Sequence, residues 1–144
     1  MTDFTVMLID DEKEFLDPLA KRLEKRNLCV LKAGDGETAL EMIRQTAVDV
    51  VALDMRMPGM DGIAVLQAIK AFDPAIEVVM LTGHASVEAA FEGLDKGAFD
   101  YLMKPVGIDE LMYKLQDAYK ARTINLKRHK RGAHPQSERK KTDE

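Results

Sequence analysis

Five short apolar runs recur along the chain, each followed by a segment whose apolar residues return every three to four positions. This spacing predicts strands at Thr5–Ile9, Leu28–Ala33, Val48–Leu53, Glu77–Leu81 and Phe99–Met103. Between and after them it predicts helices at about Glu14–Arg26, Gly36–Thr46, Gly62–Phe72, Val87–Lys96 and Asp109–Arg122. Strands that read as nearly unbroken apolar runs, alternating with amphipathic helices, imply an α/β fold with a parallel sheet covered on both faces. Phe15, Leu16, Leu19 and Leu23 fall on one stripe of the first helix. Pro18 lies on the same segment and is tolerated best in a first turn, so that helix is expected to start late or to bend. Asp109 stands before Leu111, Met112, Leu115 and Tyr119 as an N-cap would. Gly34, Gly36, Gly62, Gly83, Gly97 and Gly107 mark turns.

Composition narrows the class. A chain of 144 residues, 46% hydrophobic and 32% charged, suits one globular domain. Charges interrupt every apolar run before the roughly 20 residues a membrane helix needs, and the opening MTDFTVMLIDDE has no basic leader, so a cytoplasmic location is expected. The single Cys29, in the apolar run LCVL, reads as core filler. The net charge of −4 conceals an asymmetry: residues 122–144 carry a net +5 and residues 1–121 a net −9. Apolar periodicity stops past Lys127, so residues 4–122 are read as the domain. Residues 123–144 are read as a basic tail, a frayed end of the last helix passing into disorder.

The candidate chemistry lies where strands end. The first runs into Asp10, Asp11 and Glu12, and the third, VVALD, delivers Asp54. Ligands of open parallel sheets bind beyond the carboxyl ends of the strands, where the strand order reverses. Adjacent strand residues point to opposite faces, so Asp10 and Asp11 can converge only where strand gives way to loop. Three carboxylates sharing a crevice raise one another's pKa unless a cation joins them. Mg²⁺, which takes oxygen ligands and keeps several waters, suits so few carboxylates. Thr82 ends MLT and Lys104 ends YLMK, adding a hydroxyl and an ammonium at the same rim. A carboxylate nucleophile, a divalent metal, a hydroxyl and a lysine are the parts needed to move a phosphoryl group onto an aspartate. Each residue alone has an ordinary reading, as surface acid pair, strand threonine or solvated lysine. Chance does not readily put all five at one end of four strands.

LIDDE, LDMRMPGMDG, LTGHAS and YLMKP, in that order and spacing, resemble the signature blocks of the receiver, or CheY-like, domains of two-component response regulators. The resemblance spans about Thr5 to Ala121. It implies a flavodoxin-like, doubly wound five-stranded parallel sheet of order 2-1-3-4-5 with five helices. It implies that Asp54 is the phosphoacceptor and Asp11 a direct Mg²⁺ ligand. Asp10 would hold the metal through water, and the backbone carbonyl of Arg56 would be a further ligand. Thr82 and Lys104 would contact the phosphoryl oxygens, with Thr82 and Tyr101 as the switch pair. Pro105 matches a proline that follows the lysine through a cis bond. Pro58, Gly59 and Gly62 match the loop after the nucleophile, where Asp61 would cap the next helix.

The resemblance further implies a signalling domain, not a metabolic enzyme. It would take its phosphoryl group from a sensor histidine kinase or a histidine phosphotransfer protein. It would catalyse its own phosphorylation and autodephosphorylation, as a monomer or a phosphorylation-dependent dimer. Residues 123–144 are too short and polar for a DNA-binding unit, so output is expected through contacts with a downstream effector protein or through a phosphorelay. A receiver cut from a longer regulator would read the same way. A haloacid-dehalogenase-type phosphatase would need an acid two residues after its nucleophile, where this chain has Arg56. Nucleic-acid binding by LKRHKR is disfavoured because the tail has no aromatic residue for stacking on bases. Arg56 and His84, two positions beyond Asp54 and Thr82, would flank a phosphoryl group on its solvent side and slow its hydrolysis.

Overall fold

The computed structural model describes residues 4–56, 61–83 and 87–132, with only the helical backbone described for 129–132. Among the described residues strands and helices alternate: β1 (Thr5–Ile9), α1 (Lys13–Glu24), β2 (Cys29–Ala33), α2 (Gly36–Gln45), β3 (Val50–Asp54), α3 (Gly62–Phe72), β4 (Glu77–Thr82), α4 (Val87–Asp95), β5 (Asp100–Met103) and α5 (Ile108–Gly132). All strand pairs are parallel, in the order β2-β1-β3-β4-β5, so the order reverses between β1 and β3. This is the flavodoxin-like arrangement expected from the sequence.

Strand periodicity divides the core in two. Met7, Ile9, Val51 and Leu53 face Ile43 of α2, Leu66 and Ile69 of α3 and Ala90 of α4. Their alternates Val6, Leu8, Val50 and Ala52 face Leu16, Leu19 and Leu23 of α1 and Leu111 and Leu115 of α5. Burial on both sides is why β3 and β4 are buried at every position, and why their sequences do not alternate polar with apolar. Each large aliphatic side chain so buried contributes roughly 1.5–3 kcal/mol. Two aspartates cap helices: Asp35 accepts from the Thr38 N–H at 2.7 Å and Asp61 from the Ile63 N–H at 3.3 Å. Among the described residues no helix is long and apolar enough to cross a membrane.

Four expectations need correction. Helix α1 begins at Lys13 with Pro18 inside it, so of the two outcomes expected of that proline the late start is excluded. Asp109 lies inside the first turn of α5, not before it, and pairs at 2.9 Å with Arg26 in the turn that follows α1. Cys29 is exposed, not core: it opens β2, an edge strand, while its neighbour Leu28 turns inward. Finally, α5 continues to Gly132, ten residues past its expected end, so residues 123–132 of the segment read as tail are helical. Residues 133–144 lie outside the described residues.

The extension of α5 has a physical cause at the amino-terminal edge of the sheet. Arg122 Nε meets Asp49 Oδ1 at 3.1 Å and its Nη1 meets Asp73 Oδ2 at 3.5 Å. Asn125 donates to Glu77 Oε2 at 3.0 Å, while Lys70 Nζ reaches Glu77 Oε1 at 3.5 Å. Asp49 also accepts from the Thr5 N–H at 2.9 Å. Polar residues of α5 are thus fastened to acids at the start of β3 and β4 and at the end of α3.

Candidate functional site

The site forms at the opposite, carboxyl edge, at the reversal of strand order. Ile9 of β1 is in register with Leu53 of β3, so the next residues, Asp10 and Asp54, stand side by side. Asp10 leaves the strand, takes the Ala33 carbonyl with its N–H at 3.1 Å and accepts the Glu12 N–H on Oδ1 at 2.9 Å. That tight turn brings Asp11 round to the same side. One carboxylate oxygen from each of Asp10, Asp11 and Asp54 lies within 4.8 Å of the other two, a spacing that a single cation can span. Asp10 and Asp54 are buried at 2% and 4% exposure, whereas Asp11 is exposed, so the cluster opens to solvent on one side only.

Lys104 enters from β5. Its backbone N–H is held by the Thr82 carbonyl at 2.7 Å, and the peptide that follows it, to Pro105, is cis. Its Nζ lies 3.0 Å from Asp10 Oδ2, 3.5 Å from Asp54 Oδ1 and 3.7 Å from Glu12 Oε1, and 4.5 Å from the centre of the Phe15 ring. One ammonium therefore serves two buried carboxylates. Burial, and next the charge of Asp10, push the Asp54 carboxyl up from 3.8 to about 6, against the lowering effect of the Arg56 N–H and of Lys104. Burial works against the charge on Lys104, but the hydrogen bond to Asp10 and the charges of Asp54, Asp10 and Glu12 outweigh it and hold the ammonium above its ordinary range.

Thr82, at the end of β4, is 1% exposed, and its Oγ1 is buried with no hydrogen-bond partner among the described residues. A buried hydroxyl without a partner costs about 1–3 kcal/mol. Arg56 gives its backbone N–H to Asp54 Oδ1 at 3.2 Å while its side chain is exposed. Tyr101, on β5, is half-buried and meets Phe91 of α4 edge to face, with ring centres 6.5 Å apart. Gly62 lets α3 start close to the end of β3: a Cβ there would come within 2.8 Å of the Met55 backbone. Pro58, Gly59 and His84 lie outside the described residues.

The structure thus gathers Asp10, Asp11, Asp54 and Lys104 and aligns Thr82 on the neighbouring strand end, while Tyr101 stands apart on the α4 side. Two neighbours of Lys104 escaped the sequence reading. Glu12 was legible as part of the acid run, but Phe15 was seen only as one member of a helix stripe.

A doubly wound sheet with buried carboxylates and a lysine at its switch point puts charged groups where this class of α/β fold binds ligands. Residues 6–116 match the model of the response regulator receiver domain. The chain belongs to that family. It is 42% identical to the transcriptional regulatory protein ZraR of Escherichia coli strain K12 over 113 residues, which are 78% of this chain and 26% of that protein. It is 36% identical to the DNA-binding transcriptional regulator NtrC of the same strain, over 78% of this chain and 24% of the relative. The chain therefore spans about a quarter of the length of these curated relatives. Among solved structures, a response regulator receiver domain protein from Clostridium thermocellum superposes with a TM-score of 0.82 at 31% identity, covering 85% of this chain and 98% of that one. NtrX from Brucella abortus gives 0.84 at 29% identity, over 89% of this chain and 30% of the other.

Proposed function

We propose that this receiver domain, residues 4–122, accepts a phosphoryl group on Asp54 from a phosphohistidine of a sensor kinase or phosphotransfer protein, with Mg²⁺ as cofactor. The observation that carries this is the buried Asp54 carboxylate, which shares the Lys104 ammonium with Asp10 and lies within one cation's span of Asp10 and Asp11. The donor set fits a hard divalent ion: oxygen ligands only, two of the three acids buried, and an open side for waters. Asp11 and Asp54, with the backbone carbonyl of Arg56, would hold it directly, and Asp10 through water. When bound, Mg²⁺ offsets the crowded carboxylate charge and draws charge from the phosphoryl oxygens.

A carboxylate oxygen of Asp54 forms the new O–P bond as the donor's P–N bond breaks, and the bonding pair leaves with the imidazole nitrogen. Lys104 moves from carboxylate to phosphoryl oxygen, a charge-assisted contact. The unpartnered Thr82 hydroxyl is supplied with an acceptor by the incoming group, and its shift frees space for the Tyr101 ring to turn inward. That biases a two-state face made by α4, β5 and α5 and so changes affinity for an effector protein. The chain works in the cytoplasm, and its output runs through protein contacts or a phosphorelay.

A second reading has the same domain governing further domains of a longer transcriptional regulator. It is favoured by the length of the relatives, four times the stretch matched here. Both readings need the same first step. Incubation with acetyl phosphate and Mg²⁺ adds one hydroxylamine-labile phosphoryl group, and Asp54→Asn abolishes it. Labelling of that variant at the wild-type rate would falsify the assignment.

A further inference from the structure

Lys104 is the one cation ion-paired with Asp54 among the described residues, so its direction matters to any reaction there. Three of its close neighbours are carboxylates: Asp10, Asp54 and Glu12. The fourth is of another kind, the face of the Phe15 ring, 4.5 Å from Nζ to the ring centre. Phe15 lies in the first turn of α1, four residues after Asp11, and is itself half-buried against the core of Leu16, Leu19 and Leu111. The ring is thus anchored by packing on one side and offers its π face to the ammonium on the other.

An aromatic face attracts a cation through its quadrupole and brings no charge of its own. A fourth carboxylate at this place would also hold Lys104, but as a full anion it would compete with phosphoryl oxygens for the same N–H donors. An aliphatic side chain would fill the volume and leave the ammonium free to swing toward the exposed Glu12. We propose that Phe15 is a positioning residue, whose ring holds the Lys104 ammonium over Asp54 and yields it readily to an arriving phosphoryl oxygen. The proposal rests on the reading of Asp54 as phosphoacceptor.

The test uses the full chain with acetyl phosphate and Mg²⁺, comparing wild type with Phe15→Leu, Phe15→Tyr and Phe15→Trp. At saturating donor the phosphorylation rate of Phe15→Leu falls roughly two- to fivefold, the rate equivalent of one exposed cation–π contact. Half-saturating donor concentration and Mg²⁺ affinity stay at wild-type values, because the metal's carboxylates are untouched. Tyr and Trp restore the rate. Independently of turnover, the ε-methylene protons of Lys104 resonate upfield in wild type through the ring current and return to ordinary positions in Phe15→Leu. An ordinary Lys104 shift in wild type overturns the proposal even if the Leu variant folds poorly. So does a Leu variant as fast as wild type, or Tyr and Trp variants as slow as Leu. A wild type that accepts no phosphoryl group overturns the reading of Asp54 instead.

Discussion

The two edges of the sheet hold acids in similar number and treat them differently. At the amino edge, Asp49, Asp73 and Glu77 face Arg122, Lys70 and Asn125, and the Thr5 N–H completes the shell of Asp49. At the carboxyl edge, Asp10, Asp11 and Asp54 cluster, Asp10 and Asp54 share the Lys104 ammonium, and the neighbouring Thr82 hydroxyl has no hydrogen-bond partner among the described residues. Strands β3 and β4 run through both edges, so one pair of strands opens on satisfied acids and ends on unsatisfied groups. The acids of the amino edge are each paired within the fold, although Arg122 Nη1 is buried there with no hydrogen-bond partner among the described residues. The carboxyl edge instead crowds three carboxylates beside one ammonium. Edges whose acids are paired should answer to mutation in stability, and edges whose acids are crowded should answer to ligands and pH.

The largest effect on stability is therefore expected from the metal at the carboxyl edge. Mg²⁺ at a hundred times its dissociation constant should stabilise the fold by about 2.7 kcal/mol, because it binds the folded chain alone. Asp11→Asn should weaken Mg²⁺ binding and lose most of that gain, and unchanged metal affinity in this variant would remove Asp11 from the ligand set. In metal-free buffer the same edge carries a pH signature. The folded state raises the Asp54 carboxyl from 3.8 to about 6, so between those values it holds a proton that the unfolded chain has released. This contribution favours folding at low pH and is lost as pH rises through about 6. Urea titrations in EDTA should show wild type losing stability relative to Asp54→Asn across that window, and parallel curves would show that Asp54 ionises unhindered.

The amino edge should behave in the opposite way. Arg122→Ala strands Asp49 and Asp73 without their cation, in a partly buried setting, and should cost roughly 1–3 kcal/mol in urea unfolding. It should leave Mg²⁺ affinity and labelling of Asp54 near wild type, since the site lies at the far end of β3. Loss of metal binding in Arg122→Ala would break the comparison by showing the two edges to be one coupled unit.

The carboxyl edge was legible in the sequence for a definite reason. Its acids, Thr82 and Lys104 each sit directly after an apolar run, so finding the strands located the residues. The amino edge was not legible: Arg122 meets Asp49 and Asp73 across 73 and 49 positions, and the pairings are set by packing of α5 that periodicity does not encode. For the same reason the helix was ended at Arg122 although polar contacts carry it onward. Cys29 was misread because an apolar run on an edge strand does not reveal which residue faces the neighbouring layer. Phe15 was seen as core because a stripe shows which side of a helix is apolar and says nothing of a cation arriving from β5.

The smallest expected effect separates the mouth of the carboxyl edge from its floor, and it concerns how long a phosphoryl group would last on Asp54. Arg56 gives its backbone N–H to Asp54, yet its side chain is exposed and its guanidinium makes no ion pair with a described residue. Hydrolysis needs a water aligned with the breaking O–P bond, approaching from the solvent side. A guanidinium based two residues from the nucleophile can fork onto phosphoryl oxygens and occupy part of that path, which a carboxamide or a methyl group cannot do. The phosphorylated form should therefore be long-lived. Arg56→Ala and Arg56→Asn should each shorten its half-life, measured after donor is removed, while leaving folding stability within about 0.5 kcal/mol, as for other exposed positions. An unchanged or longer half-life in both variants would mean that the guanidinium stays in solvent and that the lifetime is set by the buried groups alone.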